Sequence, residues 1–204
     1  MSRFKLLIRL LTADNRYNTT MMSPQFIICT NSPGELTAWV TPLIQQFKSV
    51  YPDGSSCIYL TPCQYASGHE YAIAKTLCDT VYTPRDTVRT CLRLRRRKQH
   101  PNTHVLCAGG DPVYARLLAR YYRCPVSIYT GRPAHEFPKF AHCFSYPKAD
   151  PLMAESTRDY PVYTSLPAPY IVLMCGSRPQ HFHGFVPFMS DVMRQVKAAH
   201  PDLS

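Results

Sequence analysis

The sequence predicts an α/β domain built on a parallel β-sheet, and three observations lead to this prediction. Short apolar runs recur along the chain, segments with helical periodicity lie between several of them, and turn residues follow many of the runs. Strands that alternate with helices pair in parallel through right-handed crossovers. The clearest unit lies between Phe26 and Leu36, where an apolar run leads through a Gly-containing turn into a helical pattern. This order is typical of a doubly wound sheet.

The strands are predicted from short apolar runs that end at turn residues. They are Gln25–Thr30, Ser56–Leu60, Thr80–Tyr82, His104–Ala108, Val126–Tyr129, Ala141–Tyr146 and Tyr170–Cys175.

The helices are predicted where apolar residues recur at i, i+3, i+4 and i+7, a pattern that gives a helix one buried face. They cover Glu35–Tyr51, Glu70–Cys78, Arg85–Lys98, Val113–Tyr122 and Phe185–Ala199. Pro42 lies inside the first helix and predicts a kink or a local irregularity there. In the third helix, Leu92 and Leu94 are predicted to lie on the inner side.

Two domains are expected. Residues 23–146 would form the first, and the prolines of residues 147–169 are typical of an interdomain connection. Residues 170–204 would then begin a second α/β domain. One strand and one helix cannot bury their apolar faces alone, so we expect this second domain to be truncated. Residues 1–22 are interpreted as an extension ahead of the true start, near Met21 and Met22, with a transit peptide or an amphipathic surface anchor as alternatives.

Composition excludes several classes. The chain has 204 residues, of which 45% are hydrophobic, so it can bury a core and disorder is not expected. It contains nine cysteines but no CxxC pair, which indicates a reducing compartment without a disulfide framework or a zinc site. No apolar run approaches the roughly 20 residues of a membrane span. The net charge of +10 favours phosphorylated substrates, anionic lipid surfaces or nucleic acid as partners.

The turn after the first strand is a candidate anion site. Backbone N–H groups at the start of a helix attract anions, and Gly34 lets the backbone approach a ligand closely. The turn also contains Ser32 and Glu35. A plain strand-to-helix turn with Ser32 or Asn31 as N-cap fits the same spacing, and spacing alone favours it.

A second candidate turn, Ala108–Pro112, follows the buried strand around Leu106. Its glycines, Gly109 and Gly110, allow a tight turn or the close approach of a ligand. The Asp111 carboxylate would project into the same crevice as the turn after the first strand, and it could act as a general base. Asp111 could equally cap the next helix, and both roles stay open.

Two further turns contain arginines that could bind phosphate. Arg132 follows the strand Val126–Tyr129, although a solvated loop arginine is the commoner case. Gly176, Ser177 and Arg178 follow the last predicted strand and suit a phosphate group at a helix start.

The remaining motifs are weaker. The basic run Arg93–Lys98 could touch anionic lipid or nucleic acid. Because no aromatic residues interleave it, a solvated helix end is the default interpretation. The histidines lack acidic or Cys partners at metal spacing, so no metal is predicted.

Taken together, these motifs resemble the lipid-A-disaccharide synthase group of glycosyltransferases and its related subgroup. The resemblance rests on Ile27–Leu36, Val105–Ala115, Pro125–Pro133 and Leu173–Arg178, which occur in the family's order. It implies a GT-B architecture of two Rossmann-like domains with the active site between them. It also implies sugar transfer from a UDP-sugar to a lipid-linked or glycolipid acceptor, with no metal and no separate cofactor.

The resemblance also implies roles for particular residues. Asp111 would be the catalytic base, and the acceptor side would consist of Ser32, Gly34, Glu35, Gly110 and Arg132. The donor diphosphate would lie near Gly176, Ser177 and Arg178. The expected location is cytoplasmic, with peripheral contact at an anionic inner membrane, and organellar import stays open. No nucleic acid is expected as a partner.

Two departures point to the related subgroup, whose substrate is less defined. The synthases usually have Gly-Glu-x-Ser-Gly-Asp at the first turn, where this chain has Ser32-Pro33-Gly34-Glu35-Leu36. Around the second turn an Asp-x-Pro-Asp-type run is reduced to Gly110-Asp111-Pro112. Without most of a donor domain, this chain alone is expected to be inactive. The alternatives are a sugar-nucleotide epimerase of the same two-domain build, a basic α/β module that binds nucleic acid through Arg93–Lys98, and a degenerate fragment without activity.

Overall fold

The computed structural model describes residues 23–64, 66–93, 102–145 and 179–201. The chain divides into two units, residues 1–158 and 159–204, and each is described by itself. The predicted extension 1–22, connection 147–169 and strand Tyr170–Cys175 lie outside the described residues, so the proposed domain boundaries stay predictions.

The first unit contains a six-stranded sheet in which all neighbouring strands are parallel. Its strands are β1 Gln25–Thr30, β2 Ser55–Leu60, β3 Thr80–Tyr82, β4 Thr103–Cys107, β5 Val126–Thr130 and β6 His142–Ser145. Their order across the sheet is β3-β2-β1-β4-β5-β6, the order of a doubly wound nucleotide-binding fold. The predicted α/β, Rossmann-like parallel sheet is thereby confirmed, and each strand lies within about two residues of its predicted bounds.

Helices flank the sheet. They are α1 Pro33–Glu35, a π-helical segment Leu36–Val40, α2 Thr41–Val50, α3 Glu70–Leu77, α4 Pro84–Cys91 and α5 Pro112–Tyr122, with a 3₁₀ turn at Ala134–Glu136. Two apolar clusters fill the interior. The first contains Leu36, Leu43 and Phe47 from the first helical region, and the second contains Leu118 and Tyr122 from α5. Both clusters include residues of β1, which is therefore buried at the centre of the sheet.

The irregularity predicted from Pro42 is present. The backbone N–H of Thr41 donates to the carbonyl of Leu36, five residues earlier, so the helix widens into a π-helical segment just before the proline. Because Pro42 has no N–H group and its ring crowds the preceding turn, a wider turn accommodates it. The Thr41 hydroxyl also donates to the Leu36 carbonyl at 2.9 Å.

The prediction for the third helix was partly wrong. Helix α4 ends at Cys91, and Leu92 is 72% exposed instead of facing the core. The buried residues of α4 are Thr87 and Thr90, and the Thr87 hydroxyl donates to the carbonyl of Leu60 at 2.7 Å. A residue five positions after Thr87 lies about 140° around the helix, so anchoring Thr87 on the sheet turns Leu92 outward. Leu94 lies outside the described residues.

The second unit is described only through helix α6, Pro179–Ala199. It contains the predicted segment Phe185–Ala199 and begins six residues earlier. Phe185, Val186 and Phe188 are exposed on it. Of the helices described in either unit, none combines the length and hydropathy that a membrane-spanning segment requires.

Candidate functional site

The candidate site lies at the switch point of the sheet. Strands β1 and β4 are neighbours, and the chain winds outward from them in opposite directions, to β2 on one side and to β5 on the other. In such sheets ligands bind outside the carboxyl ends of the strands, in the crevice where the order reverses. The turns that follow β1 and β4, predicted as candidate sites, are the two that border this crevice.

Glu35 joins the two turns. Its carboxylate oxygen Oε2 accepts hydrogen bonds from the Thr30 hydroxyl and the Asn31 backbone N–H, each at 3.0 Å. The backbone N–H groups of Ser32 and Gly110 also interact with this carboxylate. One half-buried side chain therefore ties the start of the first helix to the turn after β4.

Burial raises the pKa of Glu35. Loss of water around the carboxyl group raises its pKa above the ordinary value of 4.5, although the hydrogen bonds from Asn31 and Thr30 oppose this shift. A carboxyl group with a raised pKa in a crevice is a candidate for acid–base chemistry, but structural networks produce the same shift. The intramolecular partners of Glu35 favour a structural contribution: it holds the two turns together.

Ser32 acts as the N-cap. Its hydroxyl accepts the backbone N–H of Glu35 at 3.3 Å. This is the alternative that the spacing favoured in the sequence. Gly34 is exposed, and a Cβ added there would meet no atom of the described residues within 4 Å. Contacts in this part of the chain therefore do not explain a glycine at position 34, and its predicted contact with an acceptor stays a prediction.

The two glycines after β4 are required by local geometry. Gly109 has φ of 140° and Gly110 has φ of 71°, values that L-residues with a side chain rarely adopt. A Cβ at Gly109 would overlap the Glu35 carboxylate, and one at Gly110 would overlap the Thr61 hydroxyl. Close packing of the two turns explains these glycines without a ligand.

Asp111 caps helix α5. Its Oδ1 accepts the backbone N–H of Val113 at 2.9 Å, and the residue is exposed at the border of the crevice. Of the two roles that the sequence left open, the capping role is therefore present. A cap can still exchange a proton with a ligand, so the catalytic role stays a prediction.

Arg132 is paired within its own loop. Its guanidinium forms an ion pair with Glu136 and lies 5.4 Å from the centre of the Phe137 ring. The backbone N–H of Arg132 donates to the Thr130 hydroxyl at 3.1 Å. A phosphate would have to compete with Glu136 for this arginine. Gly176, Ser177 and Arg178 lie outside the described residues, and their donor-side role stays a prediction.

An apolar cavity of about 420 Å³ lies beside the crevice, and sequence reasoning missed it. Asn31 and Thr61 line it together with Pro62 and Tyr71. The buried Glu70 carboxylate closes one side by accepting the backbone N–H groups of Ser67 and Gly68 at 2.6 and 2.9 Å. Although burial alone would raise it, these hydrogen bonds hold the pKa of Glu70 below its ordinary value. The sequence signal was the Thr61-Pro62 step directly after β2.

Within the described ranges, no three His, Cys, Asp or Glu side chains cluster closely enough to hold a metal ion. The cysteines described there are free thiols. Burial raises the pKa of Cys107 to about 12, so this thiol beside the crevice stays protonated and is a poor nucleophile.

No protein-family model matches the chain, and neither a curated protein nor a solved structure shows significant similarity to it. What defines the class of this protein is therefore its fold: an α/β protein with a doubly wound, all-parallel sheet.

Proposed function

We propose that this chain is the acceptor-side part of a glycosyltransferase that moves a sugar from a UDP-sugar to a lipid-linked or glycolipid acceptor. One observation carries the proposal. The turn after β1 and the turn after β4, which carry much of the resemblance to the lipid-A-disaccharide synthase group, meet at the switch point through Glu35 and Gly110. A crevice at this position is where doubly wound folds bind their ligands.

Sugar transfer requires a base near the acceptor hydroxyl. A sugar hydroxyl is a poor nucleophile, and a positioned carboxylate that takes its proton in the transition state contributes about 10²–10⁴-fold. We assign this role to Asp111, because its carboxylate is exposed at the crevice. Glu35 would hold the turn that presents Asp111, while Ser32 and Gly34 would border the acceptor.

The donor would be bound by the other unit. Gly176, Ser177 and Arg178 are proposed to contact the diphosphate of the UDP-sugar, where a cation stabilises the charge of the departing UDP. The net charge of +10 suits a protein that works at an anionic membrane surface from the cytoplasmic side.

The test is a UDP-release assay on the full-length product of the gene that encodes this chain, with a panel of UDP-sugars and membrane lipid acceptors. The variant Asp111→Asn is informative because Asn also caps helices well, so it removes the base while keeping the cap of α5. We expect acceptor-dependent release from the wild type and a loss of about 100-fold or more in the variant. Asp53→Asn, in an exposed turn away from the crevice, is the matched control.

The other outcomes separate the alternatives. Release that survives Asp111→Asn would keep the class and reject Asp111 as the base, and Glu35→Gln would be measured next. Conversion of a UDP-sugar to its epimer without UDP release would instead indicate an epimerase. If the folded protein releases no UDP with any pair, the proposal is wrong.

A further inference from the structure

A second cavity lies on the face of the sheet that α4 and α5 cover, and it shares no lining residue with the crevice at the switch point. It encloses about 420 Å³ between α4, α5 and the strands beneath them, a size within the range of about 300–1,000 Å³ of small-molecule sites. Its lining includes Tyr59, Tyr82, Tyr121 and Tyr122 together with Asp86, Arg89 and Arg93. None of them belongs to the candidate site described above.

Tyrosine rings form the floor of this tyrosine–arginine cleft. Tyr59 and Tyr82 stack with ring centres 4.1 Å apart and planes 10° from parallel. The hydroxyl groups of Tyr59 and Tyr122 lie 2.5 Å apart in the interior, in a hydrogen bond. Tyr59 and Tyr122 are buried, whereas Tyr82 and Tyr121 are partly exposed and so offer aromatic surface to a ligand.

Two arginines stand at the rim of the cleft. Arg89 is exposed, and its ion pair with the partly exposed Asp86 is long, at 3.9 Å, so this pair contributes little to stability. Arg93 donates to the Tyr121 hydroxyl at 3.4 Å, and no carboxylate in the described part of the chain pairs with it. The guanidinium groups therefore remain available to an anion.

An aromatic floor beneath a cationic rim matches the chemistry of a nucleotide. Bases stack on tyrosine rings without strong preference for sequence, and arginine pairs with phosphate through two parallel hydrogen bonds. This combination could not be predicted from the sequence, because no aromatic residues interleave the basic run Arg93–Lys98. The fold instead brings tyrosines of β3 and α5 close to Arg93.

We propose that the tyrosine–arginine cleft binds a nucleotide unit, with its base against the exposed ring surface of Tyr121 and its phosphate between Arg89 and Arg93. The unit could belong to a free mononucleotide or to a single-stranded nucleic acid. None of the cleft's lining residues belongs to the UDP-sugar site of the proposed function, so either proposal can fail without the other.

The experiment measures binding of UMP, AMP, a ten-nucleotide oligo(dT) and inorganic phosphate to the intact chain by calorimetry. We expect the nucleotides to bind and inorganic phosphate to bind much more weakly. Arg89→Gln and Arg93→Gln should each weaken binding by about threefold to tenfold. Tyr121→Leu should weaken it by at least about fivefold, while Tyr121→Phe keeps the ring and most of the affinity. Melting temperatures would show that each variant is folded.

A matched control separates this site from general charge. Arg116→Gln removes the same charge from an exposed position of α5 outside the cleft, and it should not change binding in the cleft. Tight binding of oligo(dT) without mononucleotide binding, lost in the cleft variants, would identify a nucleic-acid strand as the source. The proposal is wrong if no nucleotide binds, if Arg116→Gln costs as much as Arg89→Gln, or if Tyr121→Leu has no effect.

Discussion

At the scale of single residues, the crevice depends on glycine at position 109. Its φ of 140° is outside the range that most side chains tolerate, and a Cβ would overlap the Glu35 carboxylate. We predict that Gly109→Ala lowers the free energy of unfolding by about 1–3 kcal/mol from backbone strain alone, with a further loss where Glu35 must move. Urea unfolding followed by circular dichroism would measure this change.

Gly34→Ala is the matched control for that prediction. The added Cβ at position 34 meets no neighbour among the residues that the structure describes, and alanine is the better helix former by about 1 kcal/mol. We therefore expect this variant to be as stable as the wild type or slightly more stable. Equal losses at both positions would contradict the packing argument, because they would mean that any methyl group in these turns is costly.

The candidate residues show what sequence alone can decide. The spacing around Ser32 and Asp111 fitted both an N-cap and a binding group, and both residues are N-caps in the structure. The contact between Glu35 and Gly110 was not predictable, because it joins turns 75 positions apart and depends on how β1 and β4 pair. Residue types indicate possible chemistry, but only the register of the strands shows which groups meet.

At the scale of elements, helix α4 is held at its start by a capping box. The backbone N–H of Asp86 donates to the Thr83 hydroxyl at 3.2 Å, and the Asp86 carboxylate accepts the Thr83 backbone N–H at 3.3 Å. The same carboxylate accepts the Thr83 hydroxyl at 2.6 Å. These contacts satisfy N–H groups that a helix start otherwise leaves unpaired.

We predict that Thr83→Ala lowers the free energy of unfolding by about 1 kcal/mol, whereas Thr83→Ser keeps the hydroxyl and most of the stability. Because Thr87 bonds α4 to the sheet and Arg89 lies on the same helix, the alanine variant should also weaken the binding of a ligand in the tyrosine–arginine cleft. Chemical denaturation measures the first effect and calorimetry the second. A serine variant as unstable as the alanine variant would argue against the cap.

Elements differed in how well sequence predicted them. Strands and the helix Val113–Tyr122 were predicted closely, because apolar periodicity and flanking turn residues agree there. Helix α4 was harder, since its buried residues are two threonines, one of which bonds to the sheet, and an apolar pattern cannot reveal such a face. Pro42 did predict its irregularity, because the missing N–H group is a property of the residue itself.

At the scale of the whole molecule, alternation of strands and helices predicted the parallel sheet but not the cavities. The tyrosine–arginine cleft draws its side chains from β2, β3, α4, its C-terminal flank and α5, segments that are distant in sequence. Such a site emerges only after the strand order is fixed. The same holds for the apolar cavity beside the crevice, which combines the ends of β1 and β2 with α3.

The stability of the fold depends on pH through two carboxyl groups, one paired and one buried, which act in opposite directions. Asp79 accepts hydrogen bonds from the Lys48 ammonium at 2.8 Å and from the backbone N–H of Ser56 at 2.7 Å. Although burial alone would raise it, these partners hold the pKa of Asp79 below its ordinary value of 3.8. Its contribution to stability is therefore present above pH 3.8 and is lost as the pH falls through the lower value in the folded state.

Glu35 acts in the opposite direction, because its pKa is raised above 4.5 in the folded protein. The folded state then binds the proton more tightly than the unfolded state, so the contribution of Glu35 to stability is full below pH 4.5 and falls as the pH rises through its raised pKa. We predict that the difference in the free energy of unfolding between the wild type and Glu35→Gln decreases with rising pH in this window. The corresponding difference between the wild type and Asp79→Asn should instead decrease with falling pH below 3.8. Urea unfolding of the three proteins across this range measures both differences, and slopes of the same sign for the two variants would contradict the account of Glu35 as a carboxyl group destabilised by burial.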